Sequence, residues 1–308
     1  MERSAIVLIL AGGLRPAPLQ QELGVPPLRL PLGRKGTLLD RWIRTIHSAG
    51  RCREIRIVVN NGHDADFLRR VVDRGDAALP GVSIVTQPVA WRGAGGVLRD
   101  LSSDVSAADF VIAVESSCLP PPSLEPVLDA LADGATAVVG ASSDNEPAGV
   151  YGFHRSVIED IPAIGYYDLK EQLLPTLHKQ GHPARLVRLA DRVHRIRDRP
   201  GYLRAVGASL GDGANGDGRP WCSALARVSP EARIMGCSIL EDNVVVESGA
   251  VVHDSVILAG AVVQRGAVVS RSIVGPGAKV AAARRLVGGI LPASVRAGSA
   301  GGAPTTAI

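Results

Sequence analysis

The chain has 308 residues, of which 46% are hydrophobic and 21% are charged. This length predicts two domains, and the composition is too apolar for a disordered protein. A net charge of +4 without a long basic run predicts no nucleic-acid partner. Four separated cysteines without C-x-x-C spacing predict neither a zinc site nor a disulfide framework. No segment is typical of a signal peptide or a membrane span, so we expect a cytoplasmic protein with no membrane partner.

Strand and helix patterns alternate in the first part of the chain. Ala5 to Leu10 is an apolar run ending at Ala11-Gly12-Gly13, as expected of a buried parallel strand entering a glycine-rich loop. The pattern continues with helices near 37–49, 65–72, after Gly93 and near 124–132, and with strands near 55–59, 82–86, 110–114 and 135–139. This order predicts an α/β fold with a Rossmann-like, mostly parallel sheet and helices on both faces.

The composition changes near residue 207. Gly207 to Pro220 is rich in Gly and Asp and predicts a flexible linker. We therefore expect an α/β domain at 1–206, a linker at 207–221, a repeat domain at 222–296 and a disordered tail at 297–308.

Small aliphatic residues recur beyond the linker at a strict step of six. The series is Val244, Ala250, Val256, Val262, Val268, Val274 and Val280. A period of six predicts a triangular solenoid, because an aliphatic side chain must point inward on each of three short faces. Glycines at 249, 260, 266 and 277 fit the corners. The second domain is therefore predicted to be a short left-handed parallel β-helix.

Four segments, in this order and followed by the solenoid, resemble the sugar-1-phosphate nucleotidyltransferases, which include mannose-1-phosphate guanylyltransferase. They are Leu10 to Gly13, Gly93-Ala94-Gly95-Gly96 after Gln87-Pro88, Ala148 to Phe153 with 167–169 and 173–175, and Arg195 to Ala205. The family makes a nucleotide sugar and pyrophosphate from a nucleoside triphosphate and a sugar 1-phosphate. The resemblance therefore implies a nucleoside triphosphate or a nucleotide sugar as the ligand.

The resemblance also implies site residues. The nucleotide contacts would be Leu10, Ala11, Gly12, Gly13, Gln87, Gly93, Gly95 and Gly96, and the sugar-phosphate contacts would be Glu146 and Gly149. Members of the family hold Mg²⁺ with two aspartates and add a loop arginine and a lysine, which together neutralise the charge that develops during transfer.

This sequence departs from the family pattern at each of those charges. The first loop is shortened, so Arg15 is the nearest substitute for the loop arginine, and Pro26 stands at the lysine position. Val114-Glu115-Ser116 replaces the Asn-Gly-Asp that ends the metal-binding strand, and Arg195 stands at the second aspartate. The candidate catalytic residues are therefore Arg15, Glu115 and Asp198, and the metal ligands stay unassigned.

Three hypotheses follow. The chain is either an active nucleotidyltransferase with a relocated Mg²⁺ site, or an inert relative that binds a nucleotide or nucleotide sugar and serves a regulatory or scaffolding role. It would then form a homo-oligomer or a complex with an active nucleotidyltransferase. The third hypothesis is a hexapeptide acyltransferase using His253, which is the one histidine of the repeats.

Overall fold

A computed structural model describes residues 4–12, 16–60, 65, 68, 81–87, 91–103, 110–211 and 218–294. The chain divides into two compact units. The first comprises Met1–Gln21 and Val25–Ala205, and the second comprises Glu22–Gly24 and Val206–Ile308.

Seven strands of the described residues form the sheet of the first unit. They are β1 (Ala5–Leu10), β2 (Cys52–Val59), β3 (Val82–Thr86), β4 (Phe110–Glu115), β5 (Ala137–Ser142), β6 (Pro147–His154) and β7 (Ala184–Ala190). Their order across the sheet is β3-β2-β1-β4-β6-β5-β7. Strand β6 runs antiparallel to both of its neighbours, while the other pairs are parallel. The predicted Rossmann-like, mostly parallel sheet is confirmed.

Helices join these strands. In the described residues they are α1 (Pro18–Leu23), α2 (Leu38–Ser48), α3 (Gly93–Asp100), α4 (Glu125–Ala132), α5 (Arg155–Glu159), α6 (Leu174–Lys179) and α7 (Arg199–Leu210). Two 3-10 turns lie at Pro27–Arg29 and Gly33–Lys35, and one π-helical turn, Leu169–Leu173, leads directly into α6. The helix predicted near 65–72 is described only at Ala65 and Leu68, which are both helical and buried.

Strand β1 lies at the centre of the core because its apolar run is buried on both sides of the sheet. Ile6 and Leu8 pack in one cluster with Leu98 of α3. Val7 and Ile9 are equally buried and point to the opposite face, since side chains alternate along a strand. Helices therefore cover both faces, as predicted, and the sheet edge where β1 ends is left for a site.

The predicted linker begins too early. Helix α7 runs through Leu210, so Gly207–Leu210 are helical, and the boundary between the two units falls inside this helix at Val206. Gly207 does not end the helix, because a glycine costs a helix only about 1 kcal/mol relative to alanine and neighbouring residues can offset that cost. Residues 212–217 of the linker and the predicted tail at 297–308 lie outside the described residues.

The second unit is a left-handed parallel β-helix, as predicted. Thirteen short strands within residues 221–291 stack into three parallel sheets. Their bounds are Trp221–Cys222, Arg227–Val228, Arg233–Met235, Ile239–Leu240, Val245–Val246, Val251–His253, Val256–Ile257, Val262–Val263, Val268–Ser270, Ile273–Val274, Lys279–Val280, Arg285–Val287 and Ile290–Leu291 (β8 to β20). Glycines 249, 260, 266 and 277 have φ between 65° and 70°, which fits their predicted place at corners.

The strict step of six is wrong. Strand pairing sets Val256 opposite Ile273 and Val251 opposite Val268, so one coil takes 17 residues, not 18. One row of fully buried inward side chains follows steps of six, six and five: Leu240, Val246, Val252, Ile257, Val263, Val269, Val274 and Val280. One face of each coil is therefore shorter by a residue. Val244 and Ala250 of the predicted series are also fully buried in this core. Val262 and Val268, assigned inward by a constant step, are only half-buried.

A ladder of serines fills the shortened corner. Ser238, Ser255 and Ser272 are fully buried. The Ser255 amide donates to Ser238 Oγ at 3.3 Å, and the Ser272 amide donates to Ser255 Oγ at 3.1 Å. The Gly289 amide continues the series by donating to Ser272 Oγ at 3.1 Å. Each hydroxyl therefore satisfies a backbone donor of the next coil, which buried amides require.

In the described residues, no helix has both the length and the apolar character needed to cross a membrane.

Candidate functional site

The candidate site lies where two central strands end side by side. Strands β1 and β4 are parallel, and their last residues, Leu10 and Glu115, are paired in register. Ligands of open α/β sheets bind at the carboxyl ends of the strands. Two adjoining cavities, with volumes of about 400 Å³ and 500 Å³, open at this edge and share Leu10, Gly12, Ala94 and Asp168.

The first cavity, here called the aromatic cavity, carries two exposed rings. It is lined by Leu10, Gly12, Val58, Asn60, Gln87, Trp91, Gly93, Ala94, Val97, Tyr166 and Asp168. The side chain of Trp91 is 69% exposed, and its backbone has φ of 66°, a left-handed value that costs energy for a bulky residue. Exposed aromatic rings at the mouth of a cavity suit a planar ligand, since they offer a stacking face.

A buried ion pair holds the loops that carry these rings. Arg92 is 3% exposed, and its Nε donates to Asp100 Oδ2 at 2.7 Å. The same guanidinium donates to the carbonyl oxygens of Pro162 at 3.0 Å and Gly165. Arg92 therefore fixes the residues adjoining both Trp91 and Tyr166.

The glycine run of α3 permits close packing against the segment around Tyr167. A Cβ on Gly93 would lie 2.6 Å from the Tyr167 carbonyl oxygen, and one on Gly95 would lie 3.0 Å from it. A Cβ on Gly96 would lie 2.9 Å from the Arg92 guanidinium carbon. The Gly96 amide donates to the Tyr167 carbonyl at 3.1 Å. Gly93 lines the aromatic cavity, whereas Gly95 and Gly96 are buried by this packing.

The second cavity, here called the charged cavity, is lined by Leu10, Ala11, Gly12, Pro16, Ala17, Pro18, Gln20, Pro27, Ala94, Glu115, Ser116, Ser117, Tyr151, Asp168, Leu169, Lys170 and Arg197. Its central group is the Glu115 carboxylate, whose side chain is 15% exposed. Lys170 Nζ lies 2.6 Å from Glu115 Oε1, and the Tyr151 hydroxyl donates to the same oxygen at 3.1 Å.

Two arginines approach the other oxygen of Glu115. Arg195 Nη1 lies 3.1 Å from Oε2, and Arg197 Nη2 lies 3.5 Å from it. Burial alone would raise the pKa of Glu115, but the hydrogen bond and charge of Lys170 and the charge of Arg195 hold that pKa below its usual value. Glu115 is therefore an ionised carboxylate surrounded by cations.

Backbone pairing places Arg195 beside Glu115. Cys118 and Arg195 form an antiparallel bridge, in which the Leu119 amide donates to the His194 carbonyl at 2.9 Å. The remaining donors of Arg195 are engaged as well: Nε with Glu146 at 3.3 Å, Nη2 with the Pro147 carbonyl at 2.6 Å. Arg195 is thus fixed from several sides.

The predicted sugar-phosphate contacts lie beside this cluster. Glu146 is an ion-pair partner of Arg195. Gly149 has φ of 73°, and a Cβ there would lie 2.7 Å from Cys118 Sγ and 3.2 Å from Glu115 Cβ. The glycine therefore lets β6 approach the end of β4 closely.

Of the three candidate catalytic residues, the structure places Glu115 in a cavity lining. The Asp198 carboxylate accepts a hydrogen bond from the Gly201 amide at 2.7 Å, so it caps the start of α7. Arg15, together with Gly13 of the predicted nucleotide loop, lies outside the described residues. Of the other predicted nucleotide contacts, Leu10, Ala11, Gly12, Gln87 and Gly93 line one or both cavities, whereas Gly95 and Gly96 are buried and line neither.

The donor set does not fit Mg²⁺. This ion prefers anionic and neutral oxygen ligands, but both Glu115 oxygens already face a lysine or an arginine. In the part of the chain that the structure describes, no three His, Cys, Asp or Glu side chains are grouped to hold a metal ion.

Lys170, Arg197 and Tyr151 were not predicted as site residues. Lys170 follows the quoted segment Tyr167-Asp168-Leu169, and Arg197 lies two residues after Arg195. One feature of the sequence could have indicated these residues, namely the arginine at position 195, where the family pattern has an aspartate. The resemblance sets Arg195 at the position of a metal-binding aspartate, and a partly buried arginine is stabilised by a nearby anion, for which Glu115 and Glu146 were both candidates.

His253 lies on the solenoid, with its Nδ1 3.4 Å from Asp254 Oδ2 and its side chain 44% exposed. His253 lines neither the aromatic cavity nor the charged cavity.

Comparison with known families gives a match in the second unit. Residues 218–300 match the family model described as the GMPPB C-terminal domain, a match that includes the described solenoid. It supports a nucleotidyltransferase family of the mannose-1-phosphate guanylyltransferase type. No curated protein matches the chain.

Proposed function

We propose that this protein binds a nucleotide or nucleotide sugar as an inert relative of the sugar-1-phosphate nucleotidyltransferases. The observation that carries the proposal is the Glu115 carboxylate at the end of β4, which contacts Lys170 and Arg195 in place of a metal ion.

The proposal that the protein does not catalyse nucleotidyl transfer follows from the chemistry of that reaction. In-line attack on a phosphorus atom needs fixed positive charge and, in this family, Mg²⁺ held by carboxylates. Here one carboxylate is enclosed by cations, and Asp198 is exposed and caps a helix. Removing a single preorganised charge contact commonly lowers a rate by roughly a hundredfold or more, so the combined change is incompatible with ordinary transfer.

The proposal that the protein binds a nucleotide or nucleotide sugar rests on the two adjoining cavities. One offers the rings of Trp91 and Tyr166, and the other offers Lys170 and Arg197. A nucleotide has a planar base at one end and phosphates at the other. Such a ligand would place its base in the aromatic cavity and its phosphates in the charged cavity.

We further propose that the solenoid assembles the protein, with a second copy or with an active nucleotidyltransferase. Large apolar side chains are exposed on it at Leu225, Val228, Met235 and Val287. Molar mass in solution, measured alone and after mixing with an intact enzyme of the family, tests this proposal. A monomer that does not join the enzyme contradicts it.

Two measurements distinguish the proposed binding function from the active-enzyme hypothesis. Purified protein, nucleoside triphosphates, sugar 1-phosphates and Mg²⁺ should release no pyrophosphate above a buffer control, whereas calorimetry should detect a nucleotide or nucleotide sugar. Sustained pyrophosphate release that is lost in the Glu115→Gln variant would instead establish a relocated active site. The absence of heat with every ligand would refute the binding function.

A matched pair of variants locates the ligand. Trp91→Ala should weaken nucleotide binding by about tenfold, since stacking of a base on an aromatic ring contributes roughly 1–3 kcal/mol. Leu186→Ala removes another exposed apolar side chain, on β7 and outside both linings, and should leave affinity unchanged. Equal affinities of the two variants would place the base elsewhere.

A further inference from the structure

Arg195 differs from the other two cations around Glu115 in that its donors are already used. Its guanidinium contacts Glu115, Glu146, the Pro147 carbonyl and Cys118 Sγ. The residue is not part of the charged-cavity lining. Arg195 therefore does not donate to a ligand in the cavity, and its positive charge acts there only electrostatically, from behind Glu115.

Lys170 and Arg197 have the opposite arrangement. Both line the charged cavity, and their side chains are 50% and 56% exposed. Each contacts Glu115 from one side, Lys170 at 2.6 Å and Arg197 at 3.5 Å. Lys170 Nζ also lies 5.6 Å from the centroid of the Tyr151 ring. An ammonium has three donors and a guanidinium five, so among the described residues both side chains keep donors that can turn toward a ligand.

Asp168 also lines this cavity, and its charge is held by backbone amides. Its Oδ1 accepts hydrogen bonds from the Lys170 amide at 2.7 Å and from the Glu171 amide at 2.9 Å. Asp168 thereby caps the turn that carries Lys170, which positions the ammonium at the cavity.

We propose that the charged cavity binds a phosphate or diphosphate group without a divalent cation, with Lys170 and Arg197 as its contacts and the Arg195–Glu115 pair in place of the metal. This inference rests on the proposed function and adds the manner of anion binding to it. A dication entering the cavity would meet Lys170 and Arg197 beside Glu115, with the charge of Arg195 behind that carboxylate. The other carboxylate of the lining, Asp168, already accepts two backbone amides through Oδ1. An anion would meet two cations with free donors, which bind phosphate oxygens well.

The first experiment titrates the full chain with inorganic pyrophosphate, once in EDTA and once in excess Mg²⁺. We expect the affinity in EDTA to be equal to or higher than the affinity in Mg²⁺, because the magnesium complex carries less negative charge. An affinity at least tenfold higher in Mg²⁺, or binding seen only with Mg²⁺, would overturn the inference.

Variants test the two contacts. Arg197→Gln and Lys170→Met should each weaken pyrophosphate binding by about tenfold. Arg188→Gln is the matched control, since Arg188 is 65% exposed on β7 and pairs with Asp191 away from both linings. Weakening by the control equal to that by the two variants would show non-specific attraction and overturn the assignment.

A gain of metal binding provides the converse test. Arg195→Asp would set a new carboxylate beside Glu115 and Glu146, which is a donor set suited to divalent ions. Electron paramagnetic resonance of Mn²⁺ should show bound ion in this variant and none in the parent protein. Mn²⁺ bound by the parent and lost in Glu115→Gln would overturn the inference. If the variant fails to fold, the titrations of the parent protein still decide.

The outcomes separate this inference from the proposed function. Nucleotide binding that requires Mg²⁺ overturns the inference and leaves the function standing. Pyrophosphate binding in EDTA without any nucleotide or nucleotide-sugar binding supports the inference and refutes the function.

Discussion

Glu115 is a partly buried carboxylate whose ion-pair partners in the described residues are a lysine and two arginines. Its carboxylate accepts contacts from Lys170, Arg195, Arg197 and Tyr151, so its charge is satisfied by the protein itself. The same cluster acts on Cys118, whose thiol donates toward Glu115 at a distance of 3.8 Å.

The pKa of Glu115 leads to a stability prediction. Because the pKa is lowered in the folded state, the carboxylate stabilises the fold above its unfolded pKa of about 4.3, and this stabilisation is lost as pH falls through the folded value. Glu115→Gln should lower the free energy of unfolding by roughly 1–3 kcal/mol at neutral pH, since it removes the carboxylate that Lys170, Arg195 and Arg197 contact, although Arg195 keeps Glu146. The difference between the two proteins should shrink in acid.

Urea unfolding at neutral and acid pH measures this difference. Glu159→Gln is the control, because Glu159 is exposed and pairs with Arg155 one helical turn away. That variant should change stability by about 0.5 kcal/mol or less. A Glu115→Gln penalty that is the same at both pH values would contradict the prediction.

The cysteines should differ in reactivity. Burial raises the pKa of Cys118 to about 12, with the Glu115 charge adding to the effect, and raises that of Cys52 to about 11. Both thiols are therefore protonated at neutral pH, whereas thiolate is the reactive form. Burial also raises the pKa of Cys222, but this residue is exposed, so iodoacetamide should reach it in the native protein and reach Cys118 and Cys52 only after denaturation. Peptide mass spectrometry reads this out, and early labelling of Cys118 would contradict it.

The resemblance made Glu115 a candidate, because Val114-Glu115-Ser116 stands where the family pattern has its metal-binding aspartate. It could not identify the contacts of that residue, since Arg195 lies 80 positions away and Arg197 lies 82 positions away. Their meeting depends on the bridge between Cys118 and Arg195, which no local pattern indicates.

Helix α3 illustrates the same limit for an element. A helix after Gly93 was predicted from the alternation of strands and helices, and the packing of Tyr167 against its glycines was not. Long-range packing of this kind leaves no periodic signal. The β-helix was predictable because its signal is periodic, although the 17-residue coil was missed: a constant step of six fits several positions by chance.

Two glycine variants test the packing of α3. Gly95→Ala would bring a Cβ within 3.0 Å of the Tyr167 carbonyl and ring, and overpacking of this kind costs about 1–3 kcal/mol. Gly207→Ala in α7 has no atom within 4 Å of the added Cβ, so it should stabilise by about 0.5–1 kcal/mol. Thermal unfolding measures both shifts, and shifts of the same sign would contradict the close-packing explanation.

The serine ladder allows a prediction for the solenoid. Ser255→Ala leaves the buried Ser272 amide without its acceptor and should cost about 1–3 kcal/mol. Ser294→Ala removes an exposed hydroxyl from the same unit and should cost less than about 0.5 kcal/mol. Urea unfolding compares the two, and equal stabilities would show that the hydroxyl is not needed at this corner.

At the scale of the whole molecule, one unit carries the similarity to a known family and the other carries the candidate site. The family match lies in residues 218–300, which include the solenoid, and the two cavities lie in the α/β unit, which that match does not reach. Both units use aliphatic strands for their cores, which agrees with an aromatic content of 3%. Fold class could thus be predicted from composition and periodicity. Ligand chemistry required the side-chain contacts of Glu115.

The 17-residue coil also sets the length by which this solenoid can grow. A tandem copy of residues 256–272 returns the chain to the same corner, so every new amide finds its serine oxygen. A copy lengthened by one glycine would shift the strands that follow by one position and expose their inward side chains. We expect the first insertion to unfold cooperatively at a temperature no lower than that of the parent, and the second to unfold earlier. Seventeen residues, and not three hexapeptides, would then be the unit in which such a protein gains or loses a layer.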